Sequence, residues 1–179
     1  MKIKPYKHTE FRNLMIEMIR LFSPETYVEI GVQRGYIFNA ISPLVKRAVA
    51  VDIIEMLDII ERPNIEKHTM PSAQFAVTWK DPIDMLFIDA DHRKEAVLAD
   101  FDALSPFVRE GDGLILLHDT HPVRESLLSD RFCSNAWEAA WTIRKSRKYN
   151  RNFEIVTLPG PWAGLSIIRK AKRHLSWKP

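Results

Sequence analysis

Three continuous apolar runs dominate the chain, at residues 48–53 (AVAVDI), 83–88 (IDMLFI) and 114–117 (LILL), with acids or histidines at or just beyond the end of each. Runs of this kind are strands buried on both faces of a parallel sheet. Parallel strands need crossover connections, and helix-spaced apolar residues do separate these runs, so helices must cover both faces of one sheet. A shorter run at 26–30 (TYVEI) leads into Gly31-Val32-Gln33-Arg34-Gly35 and a helical stretch over 36–41, which reads as strand, glycine turn and helix.

The remaining elements follow the same alternation. Phe11, Leu14, Met15, Met18, Ile19 and Phe22 recur at helical spacing, and Ser23-Pro24 ends that opening helix. Residues 56–60 read as a helical turn, 65–69 as a weaker strand and 72–79 as a short helix after Pro71. Val97, Phe101, Leu104 and Phe107 mark a helix expected to start at Arg93, with Asp91 as a candidate cap. After Asp119 come about fourteen irregular residues, longer than an ordinary connection and typical of substrate loops. Asn135 and Glu138 have capping-box spacing before a helix through Trp137, Trp141 and Ile143. Residues 153–158, the turn Pro159-Gly160-Pro161 and residues 164–169 form a closing hairpin. The expected fold is a three-layer α/β domain with a mostly parallel seven-stranded sheet and an antiparallel C-terminal hairpin.

At 179 residues the chain is expected to be one domain, with an N-terminal helix in 1–23, a core over 24–170 and a basic tail over 171–179. A single cysteine, Cys133, excludes an intramolecular disulfide and a cysteine-based zinc cluster, which suits a reducing, cytoplasmic setting. There is no apolar leader near the start and no long uncharged span, so neither export nor a membrane is expected. Lys and Arg outnumber Asp and Glu only 26 to 23, and the excess lies in 144–151 and 169–178, which argues against nucleic acid as the partner. The apolar surface of the opening helix permits a homodimer.

Ligands of an open parallel sheet bind beyond the carboxyl ends of its strands. Here those ends carry Glu29 with the glycine turn, Asp52, Asp89-Ala90-Asp91-His92 and His118-Asp119-Thr120-His121. Gly31 and Gly35 allow backbone to approach a ligand closely, and Asp52 lies at the tip of the next strand, where a carboxylate accepts both hydroxyls of a ribose. Turn and acid together point to a nucleoside cofactor.

On these residues the chain resembles class I S-adenosylmethionine-dependent methyltransferases. YVEIGVQRGY is similar to the family's first motif, AVAVDI to its acid-tipped second strand, IDMLFIDADH and EGDGLILLHD to its fourth and fifth strands, and NFEIVTLP with AGLSIIRK to its reversed edge hairpin. The resemblance implies a Rossmann-like methyltransferase fold. It places the cofactor's methionine moiety near Glu29, Gly31 and Gly35, its ribose at Asp52 and Ile53, and its adenine near Thr69, Met70 and Ser72, with Asp89 beside it. HTMPS departs from the acid-containing pattern often found after the third strand.

Within the family the chain looks most like small-molecule O-methyltransferases that bind a divalent cation through acids at the fourth and fifth strand tips. The matching positions are Asp89, His118 and Asp119, with histidine in place of one acid. Mg²⁺ prefers oxygen ligands, and a histidine moves the preference toward Mn²⁺, Fe²⁺ or Zn²⁺. His92 is the candidate catalytic residue, a base for the proton of an acceptor hydroxyl, with a helix cap as its structural alternative. His121 is a further candidate ligand or substrate contact. Trp137, Trp141 and Trp162 read as core or interface residues. The implied reaction is methyl transfer to a hydroxyl of a small molecule or sugar. Two other readings stay open: a nicotinamide-dependent oxidoreductase, disfavoured by the missing third glycine, and a catalytically silent binding protein of the same fold.

Overall fold

The computed structural model describes residues 8–161 and 163–170. The expected basic tail over 171–179 and Trp162 lie outside the described residues. Helix α1 (His8–Phe22) precedes β1 (Thr26–Ile30), α2 (Phe38–Ile41), β2 (Arg47–Asp52), β3 (Ile65–Thr69), α3 (Ser72–Thr78), β4 (Met85–Ile88), α4 (Lys94–Leu104), β5 (Leu114–His118), α5 (Ala136–Lys145), β6 (Phe153–Leu158) and β7 (Leu165–Lys170). The seven strands form one sheet in the order β3-β2-β1-β4-β5-β7-β6. Strands β1 to β5 are parallel, and β7 runs antiparallel to both β5 and β6. The chain reverses its direction of travel through the sheet between β1 and β4, which opens a crevice at their carboxyl ends.

Alternation along the strands divides the interior in two. Val28, Ile30, Val49, Val51, Leu86, Ile88, Ile115 and Leu117 pack with Phe75, Phe101 and Ile143 of α3, α4 and α5. Tyr27, Ala48, Ala50, Met85, Phe87, Leu114 and Leu116 face Met15 and Ile19 of α1 and Phe38 and Ile41 of α2. The apolar stripe of α1 is therefore buried within the chain, which leaves only Leu21 and Phe22 exposed at its end. No helix among the described residues is long and apolar enough to cross a membrane.

Four local expectations are corrected. The helix expected over 36–41 begins only at Phe38, because Gly31, Gln33 and Gly35 all take positive φ and a right-handed helix cannot start until the chain leaves that region. Residues 56–60 form turns instead of a helical turn: the Asn39 side chain donates to the Asp58 carbonyl and accepts from the Ile60 N–H, both at 2.9 Å, and takes the place of helical bonds. Strand β4 starts at Met85, since Asp84 turns aside to accept the N–H groups of Glu25 at 3.1 Å and Thr26 at 2.8 Å. Asn135 does not close a capping box on α5. Its Oδ1 instead accepts the Lys94 N–H at the start of α4, at 2.8 Å.

Candidate active site

The alternation that sorts the core also builds the site. Tyr27 and Glu29 on β1, Met85 and Phe87 on β4, and Leu114, Leu116 and His118 on β5 follow the same parity, in register across the sheet. The apolar members sink into the α1 face, and the polar ones emerge at the strand tips. Glu29 is buried and accepts the Tyr27 hydroxyl at 2.5 Å. His118 lies against Phe11 of α1, with ring centroids 4.3 Å apart.

Four side chains converge beyond β4 and β5. His118 Nδ1 is 3.0 Å from Asp89 Oδ1 and 3.4 Å from Asp119 Oδ1. His92 spans the same pair, with Nε2 3.4 Å from Asp89 Oδ1 and Nδ1 3.4 Å from Asp119 Oδ2. The Phe132 carbonyl meets His92 at the same nitrogen, Nδ1, that faces Asp119. Asp119 has φ of 58°, an uncommon backbone state that turns the chain sharply out of β5.

The charges of this cluster set one another. Burial would push the Asp89 carboxyl up, but the imidazoles of His118 and His92 outweigh it and hold Asp89 below the usual carboxylate range. Burial does prevail at Asp119, which is raised. For His92 burial acts downward, yet Asp89 and then Asp119 lift the imidazole to about 9. His118 is raised by the same carboxylates against its burial. Burial, followed by the nearby Asp119, pushes the Cys133 thiol up to about 12. Glu29 is driven well up by burial, with the Tyr27 hydroxyl opposing.

Asp89, His118 and Asp119 can each bring one donor atom to a common point, since those atoms all lie within 4.8 Å of one another. Two carboxylates and an imidazole so placed fit a divalent cation, and the nitrogen donor suits Mn²⁺, Fe²⁺ or Zn²⁺ better than Mg²⁺.

The glycine turn closes against this cluster. Gly31 has φ of 87°, and a Cβ there would sit 2.4 Å from the Asp89 carbonyl oxygen and 2.5 Å from Ala90 Cα. Asp52 fixes the turn from the other side: its Oδ2 accepts the N–H groups of Val32 and Gln33, each at 2.8 Å, and its Oδ1 accepts the Ile54 N–H at 3.1 Å. The second strand's acid is thus already the anchor of the loop that follows the first.

A cavity of about 1370 Å³ brings together Glu29, Gly31, Gly35, Asp89, His92, His118 and Asp119. Asp52, Ile53, Thr69, Met70 and Ser72 are not among its lining residues. Ile53 is outside β2 and 73% exposed. Met70 packs against the core, and Ser72 donates to Asp100 at 2.5 Å. His121 is exposed, with its N–H bonded to the Ala163 carbonyl. Trp137 and Trp141 are exposed and also lie off the cavity. Asp91 accepts the Arg93 N–H at 2.9 Å just ahead of α4, as a cap would. Sequence reasoning missed Arg12, Arg34, Arg124 and Arg131, all of which line the cavity. Arg34 lies within the glycine turn, where the reading rests on the glycines, and nothing periodic or motif-like marks the other three.

This sheet order, with its reversed seventh strand and a glycine turn leading out of β1, defines the Rossmann-like methyltransferase class of fold. The family model for the methyltransferase domain matches residues 28–120, just over half of the chain, and the chain belongs to that family. Among solved structures it is similar to a Podospora anserina methyltransferase bound to S-adenosylhomocysteine (TM-score 0.72, 15% identity, 90% of this chain and 78% of that one). It is also similar to an O-methyltransferase of Bacillus cereus in complex with S-adenosylhomocysteine (0.65, 18%, 95% and 84%). A third is TomG of Streptomyces achromogenes, an O-methyltransferase involved in tomaymycin synthesis, in complex with S-adenosylmethionine (0.63, 15%, 91% and 80%). At such identities the likeness is one of fold.

Proposed function

We propose that this protein is an S-adenosylmethionine-dependent O-methyltransferase that acts on a hydroxyl of a small molecule, sugars included, with a divalent cation held by Asp89, His118 and Asp119. The observation that carries this reading is the meeting of the glycine turn with Asp89, His92, His118 and Asp119 in one cavity. Bound S-adenosylmethionine supplies a methyl group that passes to the acceptor oxygen as its bond to sulfur breaks, and a bound divalent cation orients that hydroxyl and lowers its pKa.

The protein's part is mainly positioning. Glu29, Gly31 and Gly35 form the cradle for the methionine moiety, and the backbone approach that Gly31 permits is what a side chain there would block. Asp52 receives the ribose while it keeps the turn in place: Oδ2 already accepts two N–H groups, but Oδ1 accepts one and has a second lone pair to offer. Ile53, Thr69, Met70 and Ser72 flank the adenine outside the main cavity. His92, once its imidazole is neutral, takes the hydroxyl proton. The charge that holds its imidazole protonated comes from Asp89 and Asp119, the same two carboxylates proposed for the cation. Cation loading and base strength are therefore linked at one pair of side chains.

Melting temperatures with S-adenosylhomocysteine and with NAD separate this reading from the nicotinamide one. A ligand at 100 times its dissociation constant adds about 2.7 kcal/mol of stability. A rise with S-adenosylhomocysteine and none with NAD is expected. A rise with NAD alone would replace the proposal by an oxidoreductase, and no rise with either would leave a silent binding fold.

A further inference from the structure

The cavity carries a second charged group that the proposed chemistry does not use. Arg12 on α1, Arg34 in the glycine turn, and Arg124 and Arg131 in the segment between β5 and α5 line it together with the acids at the strand tips. They come from three separate parts of the chain, so their convergence is not one solvated helix face.

In two of these guanidinium groups the Nε donor is buried without an acceptor. Among the described residues, four buried side-chain polar atoms have no hydrogen-bond partner, and Arg12 Nε and Arg124 Nε are two of them. Arg12 lies over the Tyr36 ring, 5.3 Å from its centroid, a contact that fixes its plane without giving an N–H a partner. The acids at the strand tips are engaged elsewhere: Asp89 and Asp119 by His92 and His118, and Glu29 by Tyr27.

A guanidinium presents planar N–H donors matched to the paired oxygens of a carboxylate or phosphate. Buried donors without a partner are unfavourable until a ligand supplies that oxygen. Resting on the methyltransferase reading, we propose that the acceptor is an anionic small molecule whose carboxylate or phosphate is held by Arg124 and Arg131, with Arg12 and Arg34 beside them. Its hydroxyl then points toward Asp89, His92 and Asp119. A cavity of about 1370 Å³ exceeds what one drug-sized ligand needs and leaves room for cofactor and acceptor together.

The test uses chelator-treated protein, so that no cation at the strand tips takes up the anion. Titration with S-adenosylhomocysteine comes first, and the methyltransferase reading alone requires that it bind. The saturated protein is then titrated at constant ionic strength with inorganic phosphate and, in a parallel arm, with malonate, for the wild type and for Arg124→Gln/Arg131→Gln. Saturable binding of at least one anion is expected, weakened about ten-fold or more in the double variant, with S-adenosylhomocysteine affinity unchanged as proof of folding. The tighter arm identifies the group. Equal anion affinity in both proteins, or no saturable anion binding while S-adenosylhomocysteine binds, overturns the anionic acceptor and leaves the methyltransferase reading intact. Failure of S-adenosylhomocysteine to bind removes that reading and the proposal with it.

Discussion

The carboxylate of Asp52 at the tip of β2 accepts the backbone N–H of Val32, at 2.8 Å, and so holds the turn that follows β1. The same oxygen also accepts the Gln33 N–H. Hydrogen bonds to a charged group contribute about 1.5–3 kcal/mol each when intact. Asp52→Ala is therefore expected to destabilise the protein by about 2 kcal/mol or more and to weaken S-adenosylhomocysteine binding, whereas Asp52→Asn keeps an acceptor and loses less of both. Urea unfolding and calorimetry check the two effects. An alanine variant as stable as the wild type would show that the turn stands without its anchor.

Gly31→Ala meets backbone, which cannot yield as a flexible side chain would. The added Cβ would lie 2.4 Å from the Asp89 carbonyl oxygen, at a φ of 87°. The left-handed backbone alone costs a non-glycine residue about 1–2 kcal/mol, and displacement of the Asp89 segment adds to it. A drop in melting temperature of at least about 4 °C is expected for a chain of this size, together with loss of S-adenosylhomocysteine binding. Differential scanning calorimetry gives the first and titration calorimetry the second.

Asn135 stabilises a helix other than the one it precedes. Its Oδ1 caps the Lys94 N–H, while Lys94 Nζ reaches Glu138 of α5 at 3.3 Å. Asn135→Ala should cost about 1 kcal/mol, the usual worth of a cap. Faster hydrogen exchange is expected at the first turn of α4, with α5 little changed. Exchange that accelerates in α5 alone would contradict the assignment.

Glu29 gives stability a dependence on pH. Burial holds its folded pKa well above the 4.5 of an ordinary glutamate. The folded state thus keeps a proton that the unfolded chain has lost, and stability is greatest below that ordinary value and declines as the pH rises through the folded one. Glu29→Gln removes the titration while keeping an acceptor for the Tyr27 hydroxyl. Urea midpoints measured across pH are expected to fall for the wild type relative to the variant as the pH rises above about 4.5. Parallel profiles would mean that Glu29 is ionised in the fold.

Much of the sheet and of the strand-tip cluster was legible in the sequence because one physical rule governs both. A strand buried on two faces must be apolar until it leaves the sheet, so the first polar residue after AVAV, MLFI or LILL marks a carboxyl end, and those ends meet. The misreadings share another cause, partners distant in sequence. Asn135 and Glu138 have the spacing of a capping box, but the N–H that Asn135 satisfies belongs to Lys94, 41 residues earlier. Asn39 takes over the backbone bonds that would have made residues 56–60 helical. The cavity arginines were invisible for a similar reason. Arg12 borders the apolar stripe of an amphipathic helix, where an arginine ordinarily extends its head to water, and Arg124 and Arg131 belong to an irregular segment with no period to read. Only the fold brings them to Asp89 and Asp119.

The most direct measurement is titration calorimetry of chelator-treated protein with S-adenosylhomocysteine and with Mn²⁺, for the wild type and Asp119→Ala. Saturable binding of both ligands is predicted for the wild type, with Mn²⁺ affinity reduced about ten-fold or more in the variant and the nucleoside still bound. Folded wild-type protein that gives no heat with S-adenosylhomocysteine would contradict a cofactor cradle at Glu29 and Gly31, and Mn²⁺ binding indifferent to Asp119 would contradict a cation site at the tips of β4 and β5.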